Sequence, residues 1–347
     1  MSKKIAQRVL SGIRATGRLH LGNYLGAVKG MLELQDSQEY ETLYMVADVH
    51  TITTPYDVAT LRQNRREVML DYLAAGLNPD KSILFQQSMV NEHLELAFYF
   101  SSLTTVAKMQ HLPTFKEKVK QHPDHVTMAL LNYPALMAAD ILIYKAGLVP
   151  VGLDQEPHLE ATREIARRFN QEYGTDFPEP QRFVTSGEYV PSLAGAGKMS
   201  KSVEGSYITL TDDLKTIQKR LSAAPTDSGK GTIKKDAKSK SGNRYIDQSG
   251  EESLGVANML TFVELFQGVD RRKEYEALYK GSGIRYGDLK KDLAAAIFEQ
   301  LAPIQEHRKE LEANPRFVNA VIAGGADRAR EIAQNTVAEV REVMGLG

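Results

Sequence analysis

Two short stretches of the sequence carry residues that suit the binding of phosphate groups. The first, ATGRLHLGN, covers residues 15–23 and places His20 between Gly17 and Gly22. Gly17 permits a tight turn after a strand, and Gly22 lets a ligand approach the backbone closely. The start of the following helix offers N–H donors and a partial positive charge, and His20 and Asn23 can donate hydrogen bonds to the same anion. Taken alone, the pattern also fits a purely structural turn.

The second stretch, GAGKMSKS, covers residues 195–202. It places Lys198 and Lys201 three positions apart, and Gly195 and Gly197 precede them in the sequence. A flexible loop of this kind can close on a polyphosphate, and its ammonium groups suit the charge that develops on a leaving pyrophosphate. The alternative reading of this stretch alone is an exposed basic turn.

The elements that must position these residues alternate between strand and helix patterns over the first 200 residues. Short apolar runs read as strands, and helix periodicity follows most of them; the runs are residues 8–13, 42–50, 82–88 and 148–155. This alternation predicts an α/β fold, with a Rossmann-like parallel sheet and helices on both faces. Ligands bind such sheets at the carboxyl ends of the strands. Since His20, His50 and Asp154 each follow an apolar run, we expect them to converge there.

The alternation ends near residue 202, which predicts two domains. A Rossmann-like catalytic domain would cover residues 1–203 and end with the lysine stretch, and a mostly helical domain would cover residues 204–347. We expect the last helix, about 326–344, to pack back on the first domain.

A Lys-, Gly- and Ser-rich segment over residues 226–253 reads as mobile. Between Leu214 and Tyr245 the sequence has nine Lys or Arg against two Asp. Such a run fits either a solvated loop or a surface for nucleic-acid phosphates.

Composition limits the classes of protein to consider. The 347 residues include no cysteine, which excludes disulfides, thiolate metal sites and cysteine nucleophiles. The formal net charge is −1, so a nucleic-acid contact would need a local basic patch. No apolar run is long enough to span a membrane, and the N-terminus has no signal-peptide pattern.

In order, spacing and placement, the two stretches resemble the two signatures of class I aminoacyl-tRNA synthetases. The HIGH-type motif reads HLGN at residues 20–23, and the KMSKS motif is intact at residues 198–202. Further stretches resemble tryptophanyl-tRNA synthetases of the bacterial type over nearly the whole chain: SGIRATGRLHLGNYLGA, VADVHTIT, YPALMAADILIY, VPVGLDQ and VMGLG.

The resemblance implies a reaction in two steps. L-tryptophan and ATP would form tryptophanyl-adenylate and pyrophosphate, and tryptophan would then pass to the terminal ribose of tRNA(Trp). The resemblance also implies a cytoplasmic homodimer, Mg²⁺ held mainly by the ATP phosphates rather than by a protein metal site, and no role for DNA or a membrane. The helical domain would carry the anticodon contacts.

The resemblance also assigns residues to roles. Its catalytic residues are His20, Asn23, Lys118, Lys198 and Lys201. Its ATP-binding residues are Arg14, Ala15, Thr16, Gly22, Asn23, Gly152, Leu153, Asp154, Val190, Lys198, Met199, Ser200, Lys201 and Ser202. Its tryptophan-binding residues are His50, Tyr133, Met137, Asp140 and Gln155.

Asp140 stands in an otherwise apolar helical stretch, ALMAADILIY. A buried carboxylate is costly without a partner. The partner could lie inside the protein, such as a backbone N–H or an arginine. The resemblance implies instead that Asp140 accepts the indole N–H of tryptophan, which is a donor only. Met137, one turn earlier, would contact the ring.

Several positions depart from the pattern of the family. The family frequently has an aromatic residue where this chain has Leu10, Gln where it has Arg14 and Pro where it has Ala15. It also often has Gln where this chain has Thr114 and Glu where it has Leu153. Lys116 could also take the role assigned to Lys118. The departures bear on the geometry of the pocket rather than on the class of reaction.

Three alternative functions stay open at this point. The first is the same chemistry on tyrosine, although the MAADIL setting of Asp140 favours indole. The second is another nucleotidyltransferase with the same histidine motif. The third is a synthetase-like paralogue that binds tryptophan without charging tRNA.

Overall fold

The structure is a computed structural model that describes residues 7–152, 155–184, 189–201, 203–236 and 242–347. Over these residues the chain divides into two compact units. The first comprises Met1–Gly17, Gly30–Thr185 and Leu311–Gly347, and the second comprises Arg18–Lys29 and Ser186–Glu310. In the described part of the chain, no helix has both the length and the apolar character needed to cross a membrane.

The first unit is built on a five-stranded sheet in the order β3-β2-β1-β4-β5, with every pairing parallel. Its strands are β1 (Gln7–Arg14), β2 (Tyr40–Ala47), β3 (Ser82–Gln86), β4 (Leu148–Pro150) and β5 (Gln181–Phe183). The chain order reverses between β1 and β4, which is where ligands bind in open α/β sheets. The predicted α/β, Rossmann-like fold is therefore confirmed.

Helices cover this sheet and bury an apolar core with it. They are α3 (Val58–Ala74), α4 (Glu92–Ser102), α5 (Val106–His111), α6 (Pro113–Gln121), α7 (Met128–Leu142), α8 (Glu156–Tyr173) and α13 (Pro315–Val343). The core contains side chains of β1, β2 and β3 together with those of α4, α7, α8 and α13. Helix α13 lies so close to β3 that an added Cβ at Gly325 would overlap the carbonyl oxygen of Leu84.

A continuous helical segment follows β1. It begins as α1 (Leu21–Asn23), passes through a π-helical turn (Tyr24–Val28) and ends as α2 (Lys29–Ser37). Its first residues belong to the second unit.

The rest of the second unit is mostly helical. It contains α9 (Leu214–Ala223), the strands β6 (Gly231–Lys235) and β7 (Asn243–Asp247), α10 (Leu254–Gln267), α11 (Val269–Lys280) and most of α12 (Tyr286–Ala313).

The reading of residues 226–253 as mobile is wrong for two parts of this segment. β6 and β7 form an antiparallel pair, with Ile233 opposite Tyr245. Tyr245 is fully buried and packs edge-on against Tyr279 at 5.9 Å between ring centroids. One buried aromatic residue therefore fixes a hairpin whose Lys and Gly content suggests a loop. Residues 237–241 lie outside the described residues.

The two units do not follow the predicted division at residue 203. Residues 18–29 and the lysine stretch fall in the same unit as the later helices, and the final helix α13 falls in the unit of the sheet. The functions predicted for residues 1–203 and 204–347 are not tested by this division and stay predictions.

Candidate active site

The first unit contains a cavity of about 360 Å³ at the carboxyl ends of β1, β2 and β4. Its volume falls in the range of small-molecule sites, and most of its lining is apolar. All five residues predicted to bind tryptophan line this cavity: His50, Tyr133, Met137, Asp140 and Gln155. The sequence therefore indicates correctly that these residues lie together, whereas their roles stay predictions.

Helix α7 supplies three of the five residues from one face. Tyr133, Met137 and Asp140 stand at i, i+4 and i+7, which is the spacing of one helical stripe. The helix begins at the N-cap Thr127, whose side chain accepts a hydrogen bond from the amide of Leu130 at 3.2 Å. A capped apolar helix thus presents one carboxylate to the cavity.

Asp140 is buried, and protein side chains already donate to both its oxygens. Gln87 Nε2 lies 2.8 Å from Oδ1 and 3.0 Å from Oδ2. His93 Nδ1 lies 2.6 Å from Oδ1, and His50 Nε2 lies 2.8 Å from Oδ2. Burial opposes ionisation, but the hydrogen bonds and charges of His50 and His93 outweigh it and hold the pKa of Asp140 below its ordinary value. An internal partner therefore exists, but it is neither a backbone N–H nor an arginine.

Gln87 and His93 are central to this network and were not predicted. Gln87 Oε1 accepts hydrogen bonds from the backbone amides of Val49 and His50 at 3.1 and 3.3 Å. The same side chain therefore fixes both the turn that carries His50 and the carboxylate of Asp140. Gln87 directly follows the buried strand β3. Its place in the sequence could have indicated it, because His50 was selected for the same position after β2.

His93 links Asp140 to the buried hydroxyl of Tyr144. Its Nε2 lies 2.7 Å from the hydroxyl of Tyr144. Since an ionised Asp140 can only accept, His93 Nδ1 carries a proton and donates it to this carboxylate. Burial raises the pKa of Tyr144, so this hydroxyl keeps its proton.

A second hydrogen-bonded group forms another part of the wall. The hydroxyls of Thr114 and Tyr133 are hydrogen-bonded to each other, and each lies 2.7 Å from His158 Nε2. Thr114, one of the departures from the family pattern, therefore contributes a hydroxyl that orients Tyr133.

Two cations, Arg14 and Lys118, also line the cavity. Burial lowers the pKa of both, and their mutual repulsion lowers that of Lys118 further. Lys116 is exposed and does not line the cavity, which favours Lys118 for a role in the site.

The remaining predicted ATP-binding residues of this unit stand at strand ends. Ala15 and Thr16 follow β1, and the amide of Ala15 donates to the Thr51 hydroxyl at 3.2 Å. Gly152 follows β4, and its carbonyl accepts from the amide of Gln155 at 3.0 Å. Three predicted ATP-binding residues lie outside the described residues: Leu153, Asp154 and Ser202.

In the second unit, His20 is the N-cap of α1. Its Nδ1 accepts from the amide of Asn23 at 3.3 Å, and Asn23 Oδ1 accepts from the amide of His20 at 3.2 Å. Nδ1 is therefore unprotonated, and Nε2–H is the donor that His20 can offer. Burial, followed by the charges of Lys201 and Lys198, lowers the pKa of His20 to about 4.

The prediction of freely available amides at this helix start is only partly met. The amide of Leu21 donates to the carbonyl of Ile208 at 2.9 Å, and the amide of Asn23 is used by the cap. Two of the first three amides are thus already hydrogen-bonded within the protein. The binding of an anion here would therefore depend more on the His20 side chain and the nearby lysines than on the amides of the helix start.

The lysine stretch lies in the same unit as His20. Its turn is closed by hydrogen bonds from the amide of Ser192 to the carbonyl of Gly197 and from Met199 to Val190, both at 2.9 Å. Gly195 and Gly197 both have positive φ, which the turn requires.

Met199 connects the two motifs directly. An added Cβ at Gly22 would come within 2.9 Å of the His20 ring and 3.2 Å of Met199 Cβ. Gly22 is therefore the spacer that lets the two motifs approach. The structure brings together His20, Gly22, Asn23, Val190, Lys198, Met199, Ser200 and Lys201 in one unit.

The stretch Tyr207–Leu210, which follows the lysine stretch in the chain, pairs with the residues around His20 and was not predicted. Thr209 forms a β-bridge with His20, and the amide of Leu210 donates to the carbonyl of Leu19 at 2.9 Å. The His20 ring also lies 6.2 Å from that of Tyr207. The alternation in SYITL is the signal that could have indicated this short strand.

The described residues do not supply a protein-built metal site. Over these ranges no group of three or more His, Asp or Glu side chains is arranged to hold an ion. The charged side chains at the candidate phosphate positions are lysines, which do not coordinate Mg²⁺.

Comparisons with known proteins agree with one another. A family model described as tRNA synthetases class I (W and Y) matches residues 2–302. The chain is 41% identical over 342 residues to the tryptophan–tRNA ligase of Porphyromonas gingivalis, which covers 98% of this chain and 99% of that protein. It is 40% identical to the Helicobacter pylori enzyme of the same name, with 98% and 99% covered.

A solved structure shows the same similarity in three dimensions. The tryptophanyl-tRNA synthetase of Campylobacter jejuni, crystallised with ADP and tryptophan, has a TM-score of 0.81 at 31% identity and covers 98% of this chain and 100% of that chain. The chain therefore belongs to the class I tRNA synthetases for tryptophan and tyrosine, and within them to the bacterial tryptophanyl-tRNA synthetases.

Proposed function

We propose how the residues described above carry out the reaction of a tryptophan–tRNA ligase. The chain activates L-tryptophan with ATP and transfers it to tRNA(Trp). The observation that supports this assignment of the site best is the cavity whose lining contains one buried carboxylate, Asp140, and two cations, Arg14 and Lys118. Tryptophan offers the complementary set: one indole N–H, an apolar ring and a carboxylate.

In this proposal Asp140 accepts the indole N–H, and Met137 contacts the ring. Gln87 and His93 hold the carboxylate in place, His50 lines the pocket beside it, and Gln155 and Tyr133 contact the α-amino group. A site built around a donor of its substrate rejects analogues that lack that donor. This favours tryptophan over phenylalanine.

The first step needs no base, because the tryptophan carboxylate is ionised at neutral pH. One carboxylate oxygen attacks the α-phosphorus of ATP, and the bond to the β-phosphate oxygen breaks with release of pyrophosphate. We propose that His20 Nε2–H and Asn23 hold the α-phosphate, and that Lys118, Lys198 and Lys201 stabilise the charge on the departing phosphates. Catalysis is then mostly positioning and charge stabilisation.

We propose that the remaining ATP contacts come from Arg14, Ala15, Thr16, Gly22, Gly152, Leu153, Asp154, Val190, Met199, Ser200 and Ser202. Magnesium, when bound to ATP, neutralises phosphate charge through the phosphate oxygens.

In the second step the terminal ribose hydroxyl of tRNA(Trp) attacks the carbonyl carbon of the adenylate, and AMP leaves. We propose that the second unit contacts the tRNA. Several of its basic side chains between Leu214 and Tyr245 are exposed, among them Lys215, Lys219 and Lys234. Phosphate backbones bind such surfaces in a salt-dependent manner. Because bacterial tRNA is charged in the cytoplasm, we propose that the protein acts there.

We also propose a homodimer. Leu94 and Phe98, one turn apart on α4, are 50% and 74% exposed, and Met128 at the start of α7 is 74% exposed. Helices α4 and α7 pack together, and we propose that these exposed apolar side chains contact a second copy of the chain. Sedimentation should show Phe98→Glu to be monomeric, and an unchanged dimer would contradict this interface.

The experiment that tests the function is tRNA charging. Purified protein, ATP and total bacterial tRNA are incubated with each of the twenty amino acids, and the charged tRNA is identified. We expect tryptophan on tRNA(Trp) alone. Charging with tyrosine would favour the tyrosine enzyme, and tryptophan binding without any charging would favour the paralogue.

A further inference from the structure

A short segment of the chain, residues 87–93, supplies the two fully buried partners of Asp140. Gln87, at its start, donates to both carboxylate oxygens, and His93, at its end, lies 2.6 Å from one of them. Backbone hydrogen bonds connect the two: the amide of Val90 donates to the carbonyl of Gln87 at 3.1 Å, and the amide of His93 donates to that of Val90 at 3.3 Å. The orientation of Asp140 therefore depends on where this segment lies.

The segment begins with the short helical turn Gln87–Met89, whose middle residue is held by the end of β2. The carboxylate of Asp48, which directly follows β2, accepts from the Ser88 amide at 2.9 Å and from the Ser88 hydroxyl at 2.6 Å. Arg65 of α3 forms an ion pair with the same carboxylate at 2.6 Å. These contacts do not reach the carbonyl of Met89 at the end of the turn, and a carbonyl at a helix end needs a partner from elsewhere.

Arg330 of α13 is a partner of that carbonyl. Its Nη2 donates to the Met89 carbonyl at 2.6 Å, and its Nη1 donates to Asp327 Oδ1 at 2.8 Å. Asp327 stands three residues earlier on the same helix, so this ion pair orients the guanidinium. A charged donor makes a stronger hydrogen bond than a neutral one. The end of the turn is therefore held from the last helix of the chain.

The exposure of Arg330 argues against a role in packing alone. Its side chain is 34% exposed, whereas α13 contributes buried alanines to the core. Arg328 of the same helix makes a similar contact elsewhere, because its Nη1 donates to the carbonyl of Pro79 at 2.9 Å, before β3 begins. Of these two contacts, only that of Arg330 falls on the segment that holds Asp140.

We propose that Arg330 is a positioning residue for the recognition of tryptophan. By holding the Met89 carbonyl, it fixes the segment from which Gln87 and His93 orient Asp140. A site built around one donor of its substrate needs such support, because small shifts of the side chains that contact the substrate weaken recognition. This inference rests on the proposed function, since it takes Asp140 to bind the indole N–H.

The test uses Arg330→Gln, with Arg328→Gln as the matched control. Each variant removes one positive charge and one contact from α13 to a backbone carbonyl. Pyrophosphate exchange is measured with tryptophan and with benzothienylalanine, in which sulfur replaces the indole N–H. We expect Arg330→Gln to raise the KM for tryptophan about 3- to 10-fold and to lower discrimination against the analogue by a similar factor, with kcat and the KM for ATP unchanged. Arg330→Lys keeps a charged donor and should lose less, and Arg328→Gln should match the wild type.

A measurement without ligand separates this inference from the proposed function. The proton on His93 Nδ1 can be observed by NMR in protein with labelled histidine rings, and the rate at which it exchanges with water reports local opening of the segment. We expect this proton to exchange about 3- to 10-fold faster in Arg330→Gln than in the wild type or in Arg328→Gln.

The proposal is overturned if Arg330→Gln matches Arg328→Gln in the KM for tryptophan, in discrimination and in proton exchange at His93. It is also overturned if the KM for ATP rises as much as the KM for tryptophan, which is the result of a general loss of structure. A wild type without tryptophan-dependent pyrophosphate exchange would instead contradict the proposed function, and the NMR measurement would still decide whether Arg330 holds the turn.

Discussion

Asp140 combines a structural role with the proposed contact to the substrate. An ionised carboxylate has about four acceptor positions. Gln87, His93 and His50 together make four contacts to its two oxygens. An indole N–H must therefore replace one of them. His50, whose side chain is 13% exposed, is the partner at the cavity surface, whereas Gln87 and His93 are fully buried.

Replacing Asp140 by asparagine tests this contact. The amide removes the charge and one acceptor, so we expect kcat/KM for tryptophan in pyrophosphate exchange to fall about 10- to 100-fold. Discrimination against benzothienylalanine, in which sulfur replaces the indole N–H, should fall with it. The control is Tyr144→Phe, which removes a hydroxyl two bonds further along the network and should leave discrimination intact. If Asp140→Asn discriminates against benzothienylalanine as strongly as the wild type does, Asp140 does not bind the indole N–H.

His20 provides a test based on pH. Its pKa of about 4 lies below the ordinary value of 6.5, so the folded protein keeps His20 neutral where the unfolded chain takes up a proton. This contribution to stability is complete above pH 6.5 and is lost as the pH falls from 6.5 towards 4. At neutral pH, His20 is therefore a neutral donor through Nε2–H.

The titration can be followed by NMR of the His20 ring in labelled protein, assigned with His20→Asn. We expect a midpoint near pH 4 in the ligand-free protein, and a higher midpoint in Lys201→Ala because one repelling charge is removed. A midpoint near 6.5 that is the same in the wild type and in Lys201→Ala would contradict the placement of the two motifs side by side.

At the scale of elements, helix α13 illustrates how a late segment completes the first unit. Its small residues face the sheet, and the Thr336 hydroxyl donates to the carbonyl of Ile143 at 2.7 Å. Arg330 Nη2 donates to the carbonyl of Met89 at 2.6 Å, next to the turn that carries Gln87. The helix thus supports the elements that position Asp140.

Two neighbouring glycines in α13 form a matched pair of substitutions. Gly325→Ala would overlap the backbone of β3, and we expect it to cost about 1–3 kcal/mol of unfolding free energy. Gly324→Ala meets nothing within 4 Å, and helix propensity should make it neutral or stabilising by about 0.5–1 kcal/mol. Denaturant titration measures both. Equal effects would mean that α13 does not pack closely on β3.

Across the whole molecule, the sequence predicts those features of the fold that depend on local periodicity, such as strands, helices and the residues that share one helix face. The alternation of strands and helices predicts the sheet, and the i, i+4, i+7 spacing in α7 places Tyr133, Met137 and Asp140 on one face. Partners distant in sequence are not predictable in this way. Gln87 and His93 stand 53 and 47 residues from Asp140, and no local pattern joins them to it.

The same limit explains why the two compact units differ from the division expected at residue 203. Residues 18–29 and 186–310 form one unit although 156 residues separate them, because the Tyr207–Leu210 stretch pairs with the chain around His20. The hairpin of β6 and β7 was missed because its Lys and Gly content resembles a loop, while the burial of Tyr245 depends on α11.

In the proposed reaction tryptophan is activated with ATP, and the lysine stretch stabilises the departing pyrophosphate. The most direct measurement is pyrophosphate release in a single turnover. We expect release by the wild type only when tryptophan is present. In Lys198→Ala/Lys201→Ala it should be about 10²- to 10³-fold slower, with unchanged tryptophan affinity, and a variant of the exposed Lys309 on α12, Lys309→Ala, should match the wild type. Release that does not require tryptophan, or an unchanged rate in the double variant, would contradict the account.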